Sequence, residues 1–175
     1  VVTSDECNEK GLAVPALSAE SINAIDRHLP SFWSRGNPVD LVGTRNPEAP
    51  LAAVEELLKS DDIDCVISLG IVGRIEFLRL MNRSTKEVDK TIPPGFLDQT
   101  ETILRGYEEK YIATTAELME RYEKPVIGVS LVKTSGGAVR PVAGRRYSPV
   151  LYESPESAVH VLAKMVEYQR VTSDK

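Results

Sequence analysis

The run Ser68-Leu69-Gly70-Ile71-Val72-Gly73-Arg74 follows directly on Asp64-Cys65-Val66-Ile67, so a strand reads as ending in two closely spaced glycines and an arginine. Glycines at a strand-to-helix turn let a ligand approach the backbone. The helix that follows offers unpaired N–H groups and the positive end of its dipole to an anion. Ser135-Gly136-Gly137, which follows the apolar run Val126 to Val132, is a second turn of this kind. The spacing is neither the dinucleotide G-x-G-x-x-G nor a Walker A loop, since no Gly-Lys-Ser/Thr follows. Taken alone, the glycines are read first as a way to pack strand closely on helix and second as an anion cradle. No nucleophile stands beside a base, there is no G-x-S-x-G elbow and no H-E-x-x-H, and no catalytic residue is assigned within the chain.

Metal and redox chemistry find little to work with. Cys7 and Cys65 fall in no C-x-x-C spacing and are read as buried free thiols, Cys65 because it lies in an apolar strand. His28 and His160 have no Cys, Asp or Glu cluster around them, so no metal site is expected. The 21 basic and 26 acidic residues leave a formal charge of -5, and no basic stripe interleaved with aromatics offers a surface to nucleic acid. No apolar run approaches the roughly 20 residues needed to cross a bilayer, and the N-terminus lacks a signal-peptide layout, so a cytoplasmic protein is expected. With 175 residues, 42% of them hydrophobic, the chain is the size of one domain, 1–175, with material for a core.

The elements that must hold the turns follow from periodicity and caps. Val1 to Lys10 reads as the end of a helix closed by Gly11, followed by the apolar segment Leu12-Ala13-Val14-Pro15 as an edge-type strand. A chain that opens this way starts in the middle of a βαβ repeat. Ser18 caps a helix carrying Leu17, Ile22, Ile25 and Leu29 at helical spacing, stopped by Pro30. Asn37-Pro38 marks a turn into an extended segment through Val42, and a helix over 47–59 shows Leu51, Val54, Leu57 and Leu58 on one face. Beyond the glycine turn a helix runs towards Asn82, residues 82–95 read as an exposed polar connection, and a long helix spans about Gln99 to Tyr122 on a stripe that includes Ile103, Leu104, Tyr107, Tyr111 and Thr115. Lys124 to Val132 reads as a buried parallel strand. The strand Val150 to Tyr152 precedes a last helix with Ser154 as N-cap and Pro155 at its first position. Such alternation predicts a doubly wound, mainly parallel sheet with helices on both faces, whose ligands collect outside the carboxyl ends of the strands.

Four segments carry a resemblance: Gly11-Leu12-Ala13-Val14-Pro15-Ala16-Leu17-Ser18, Gly36-Asn37-Pro38-Val39-Asp40-Leu41-Val42-Gly43, Lys124-Pro125-Val126-Ile127-Gly128-Val129 and Tyr152-Glu153-Ser154-Pro155-Glu156-Ser157-Ala158-Val159. In these, and in order from Asp5 to Tyr168, the chain resembles one region of the NDP-forming acyl-CoA synthetases of the succinyl-CoA synthetase superfamily. Residues 83–98 match least. The resemblance implies the flavodoxin-like CoA-ligase domain, as part of an enzyme that interconverts acyl-CoA, NDP and phosphate with carboxylate, NTP and CoA. In that family a phosphorylated histidine loop rests between the N-termini of two helices, one of them supplied by this kind of domain. Gly70, Ile71, Val72, Gly73 and Arg74 line up with the loop at that helix start and would bind the phosphoryl group. Asn37 and Asp40 would brace the neighbouring loop or simply shape their own turn, and Ser135, Gly136 and Gly137 would line the same cleft.

The departures bear on what the chain does alone. The family's domain begins with an apolar strand and a glycine-rich turn, and the first strand is missing here. Neither His28 nor His160 stands in a Ser-His-Thr-Gly setting. The resemblance therefore implies a piece of a larger ligase, with CoA-binding, phosphohistidine and ATP-grasp domains on the same chain or a partner subunit, and possible pairing with its own copies. No cofactor is expected on this chain alone; CoA, nucleotide and Mg are implied for the complete enzyme. Two other readings are a non-catalytic flavodoxin-like interaction module and a free-standing binder of a phosphate ligand. FMN is disfavoured for the latter because no Ser/Thr-rich phosphate loop opens the chain.

Overall fold

A computed structural model describes residues 1–130, 132 and 138–173. Along the chain come α1 (Val2–Glu9), α2 (Ala19–Asp26), α3 (Ala49–Lys59), β1 (Val66–Leu69), α4 (Arg74–Val88), α5 (Pro94–Tyr122), β2 (Val126–Val129), β3 (Val150–Tyr152) and α6 (Pro155–Ser173). The strands form one parallel sheet in the order β1-β2-β3, with Val66 opposite Val126 and Ile127 opposite Val150. Parallel strands buried on both sides need apolar residues of both parities, and the sequences Val-Ile-Ser-Leu and Val-Ile-Gly-Val supply them. Val66 and Val126 point to one face, where they meet Val54 and Leu58 of α3 and Leu118 and Met119 of α5. Cys65, Ile67, Ile127 and Val129 point to the other, where Ala158 and Leu162 of α6 cover them. The expected α/β fold with helices on both faces of a parallel sheet is therefore present, and it is consistent with the flavodoxin-like type.

The helix signals hold in detail. Ser18 Oγ accepts the N–H of Ser21 at 3.0 Å, and Ser154 Oγ accepts that of Ser157 at 3.2 Å, each a local N-cap. Behind α1, Gly11 takes a left-handed φ of 73°; its N–H reaches Asn8 O and that of Leu12 reaches Cys7 O, the paired bonds of a Schellman closure. The other end of α3 is held from a distance, with Lys124 Nζ donating to Leu58 O at 3.0 Å and Ser60 O at 2.7 Å, a cation where the helix dipole favours one. Gly128 is needed for close approach, since a Cβ there would run into the Leu151 side chain on the adjacent strand.

Three expectations change. Leu12 to Pro15 and the segment up to Val42 do not join the sheet. Pro15 and Pro38 lack the N–H a ladder needs, and at Val42 and Gly43 the chain turns with φ of 45° and 64°. Second, residues 83–88 are helical. α4 runs on to Val88 because it lies against α5: Asn82 Nδ2 donates to Leu97 O at 3.3 Å, Arg79 Nε to Glu101 at 3.3 Å and Lys86 Nζ to Asp98 at 3.3 Å. A polar sequence is helical here because its neighbour is polar too. Third, α5 begins at Pro94, where proline is tolerated in the first turn, so the connection shrinks to residues 89–93. At 29 residues α5 is about 44 Å long, far longer than the strands of three or four residues, and its first half leaves the sheet to pair with α4. Ile103, expected on the buried stripe, is 73% exposed on that outlying half.

Candidate functional site

The turn that the glycines predict sits at the carboxyl end of β1. Gly70 N donates to Val129 O at 2.8 Å, extending the ladder by one bond before the chain leaves the sheet with φ of 65° at Gly70. Ile71 and Val72 then plug inward against Tyr111 and Leu151, which fixes the turn from beneath. Gly73 has φ of 95° and serves as the N-cap of α4, with no side chain to offer the helix. Arg74 reaches back, its Nε donating to Gly70 O at 2.7 Å, so the arginine ties the two ends of the turn together while its guanidinium stays at the surface.

The first amides of a helix need partners, and here several have none among the described residues. The backbone N–H groups of Ile71, Val72, Gly73 and Arg74 make no hydrogen bond among the described residues. Ile75 N–H is served from elsewhere: Glu108 Oε1, on α5 and 33 positions away, accepts it at 2.9 Å. Glu108 is 7% exposed and has no cation within ion-pair distance among the described residues. What holds a buried carboxylate there is the helix terminus itself, whose partial positive charge and amide stand in for a counter-ion.

α5 lines this region with polar groups one turn apart. Tyr111 and Ser68 share a hydrogen bond of 2.7 Å, and burial pushes the Tyr111 phenol up to about 12, with the Ser68 bond pulling the other way. Tyr107 is also raised, mainly by burial and with the Arg74 charge opposing. Both phenols are therefore neutral at physiological pH and act as hydrogen-bonding groups only. The void between Ser68, Tyr111 and Thr115 has a volume of about 10 Å³, room for a single water at most.

Of the predicted site residues, the structure brings Gly70, Ile71, Val72, Gly73 and Arg74 into one turn. Asn37 and Asp40 serve their own loop: Asn37 Nδ2 donates to Pro15 O at 3.0 Å and Asp40 Oδ1 accepts Val42 N–H at 2.8 Å. Ser135, Gly136 and Gly137 lie outside the described residues. Glu108 was not anticipated. Its signal was a carboxylate falling on the same helical stripe as Leu104, Tyr111 and Thr115, a position that a purely apolar packing face would not tolerate. Both cysteines are free, Cys7 buried and Cys65 partly so, and burial pushes the Cys65 thiol up to about 12, as expected for inert packing thiols. Among the described residues there is no group of three His, Cys, Asp or Glu side chains placed to hold a metal, and no helix is long and apolar enough to cross a membrane.

An α/β domain with a glycine-capped helix N-terminus at the carboxyl end of a strand is the class that these features define. Known proteins narrow it. No protein-family model matches the chain. A curated relative, the alpha subunit of acetate–CoA ligase [ADP-forming] II from Pyrococcus furiosus, is 26% identical over 137 residues, covering 71% of this chain and 28% of the subunit. The crystal structure of PH0766 from Pyrococcus horikoshii OT3 superposes with a TM-score of 0.54 at 19% identity, over 95% of this chain and 32% of that one, and shows the fold. The chain thus spans under a third of the length of either protein. The ligase subunit supports the resemblance read from the sequence, that of a CoA-ligase domain of the NDP-forming type.

Proposed function

We propose that this chain works as a domain of an NDP-forming acyl-CoA synthetase, interconverting acyl-CoA, NDP and phosphate with carboxylate, NTP and CoA, and that the start of α4 cradles the phosphoryl group in transit. The observation that carries the reading is the set of amides from Ile71 to Arg74 that have no partner among the described residues, at the carboxyl end of β1, in the segment that resembles the family's helix-start loop. Preset donors cost no reorganisation when negative charge arrives on phosphoryl oxygens, and the dipole of a 15-residue helix adds to them. Arg74, with its Nε committed to Gly70 O, lends its remaining guanidinium hydrogens and its charge to the rim.

The histidine that carries the phosphoryl group, the CoA site and the ATP-grasp nucleotide site, with its Mg, belong in this reading to other domains of the same chain or of a partner subunit, working together in the cytoplasm. In the enzyme assembled from those parts, Gly73→Asp places a carboxylate and a strained left-handed residue in the cradle. Phosphoryl transfer then falls by about 100-fold or more, with CoA binding retained. Gly73→Asn, which shares the backbone demand without the charge, loses less. Unchanged transfer in Gly73→Asp overturns the cradle.

A second reading, an interaction module without chemistry, draws on α4 itself. Phe77, Leu80, Met81 and Val88 lie on its outer side and are exposed, opposite the polar face that meets α5. In that case Gly73→Asp leaves assembly intact and Phe77→Glu with Leu80→Glu abolishes it.

A further inference from the structure

We propose that the hairpin of α4 and the outlying half of α5 pairs with a second copy of this chain, through the side of the hairpin that faces away from its ion pairs. The inference deepens the second reading above by naming the partner. It rests on that reading's exposed helix and not on any loss of chemistry.

Two positions along an α-helix turn it by about 200°, so residues two apart lie on nearly opposite sides. Arg79, Arg83, Lys86 and Glu101 line one polar groove between the helices, and Lys86 Nζ reaches Asp98 at 3.3 Å. Each of these five charged residues has an apolar residue two positions away: Phe77, Met81 and Val88 on α4, Phe96 and Ile103 on α5. The five therefore gather on the other side of the hairpin, and they are 50% to 84% exposed. Met81 and Val88 stand seven residues apart, as do Phe96 and Ile103, the repeat that keeps an apolar seam on one side of a helix over successive turns.

Side chains this exposed leave on the order of 600 Å² uncovered together, the upper end of what a typical monomer leaves open in one patch. Two such faces laid together bury on the order of 1,200 Å², where stable interfaces begin, before any rim residue is counted. An identical hairpin is the occupant that fits. Two antiparallel helices with heptad-spaced apolar residues, set against the same pair across a two-fold axis, make a four-helix bundle in which each face meets itself. Charge permits the meeting as well. The chain carries -5, yet from Arg74 to Glu108 six basic residues balance six acidic ones, so two hairpins approach without net repulsion.

Sedimentation equilibrium of the intact chain tests the pairing. Wild type is a dimer at about 100 μM and dissociates on dilution. Met81→Glu with Ile103→Glu weakens the dimer by about 100-fold or more, because each copy then carries two carboxylates into an apolar seam. Met165→Glu with Tyr168→Glu, on exposed positions of α6, leaves it at wild-type strength. A wild type that stays monomeric overturns the pairing of copies and leaves the second reading to a different partner. A dimer that survives Met81→Glu with Ile103→Glu overturns the hairpin as its seat. A second measurement needs no variant: Met81 and Met165 are 50% and 54% exposed in the single chain, so hydrogen peroxide oxidises them alike when the protein is dilute. At dimer-forming concentration Met81 is oxidised about 5-fold more slowly or less, while Met165 keeps its rate. Equal rates at both concentrations overturn the proposal even if the double variant does not fold.

Discussion

Three helices of this chain show two contrasting ways to begin. α2 and α6 open on a serine whose hydroxyl accepts an amide three residues on, at 3.0 and 3.2 Å. α4 opens on a left-handed glycine and takes a side-chain acceptor from another helix. A serine cap closes the terminus with a neutral, local group and leaves it inert. A glycine start with a remote carboxylate leaves four amides without a partner among the described residues and places a carboxyl group beside them. The first arrangement is scaffolding, and the second is the one on which the proposed phosphoryl cradle rests.

The comparison is broken most forcefully by reversing the remote charge. Glu108→Lys removes the acceptor, buries a cation and sets it against the positive end of α4, so the urea midpoint falls by the equivalent of about 3 kcal/mol. A wild-type midpoint would mean that Glu108 does not hold the terminus. Next in size is Gly73→Ala, where φ of 95° costs an L-residue about 1 to 2 kcal/mol, read in the same denaturation experiment. The serine caps come third: Ser18→Ala and Ser154→Ala each lose about 1 kcal/mol. Because the two helices are separate, the double change is additive within about 0.5 kcal/mol. Coupling between them would show that these caps are not the local devices described.

The smallest effect concerns the mirror case, a carboxylate at the wrong end of a helix. Asp26 closes α2 where the dipole repels it, and the Trp33 indole N–H together with Arg35 holds it there. Those hydrogen bonds, that of Trp33 foremost, keep its carboxyl below the usual range. A folded-state value below the unfolded one gives stability that is present above the unfolded pKa, about 3.9, and is lost as the pH falls through the folded value. Trp33 is the single tryptophan, so its fluorescence follows that acid titration directly. Asp26→Asn flattens the titration, and a persistent transition would assign it to another group.

Legibility followed the range of the interaction. The Ser18 and Ser154 caps, the Gly11 closure and the apolar runs of β1 and β2 were readable because each depends on residues a few positions apart. The extended reading of Leu12 to Pro15 failed because a strand requires a partner edge, and nothing local tells whether one is offered. Residues 83–88 looked like a connection by composition, yet the polar face of α5 turned them into helix. Ile103 fell on the right period, but the sheet that would have buried it ends before that part of α5 begins.

The glycine turn shows the same division in one place. Its position at the end of an apolar run, and the need for left-handed backbone at Gly70 and Gly73, are properties of a short segment and were determined by the sequence itself. Tertiary structure decided that Ile71 and Val72 anchor it, that Arg74 spends its Nε on Gly70 O, and that Glu108 occupies the adjacent amide. The reason is physical: a contact across 33 residues exists only once α4 and α5 have paired and the Tyr111–Ser68 bond has fastened α5 under the turn.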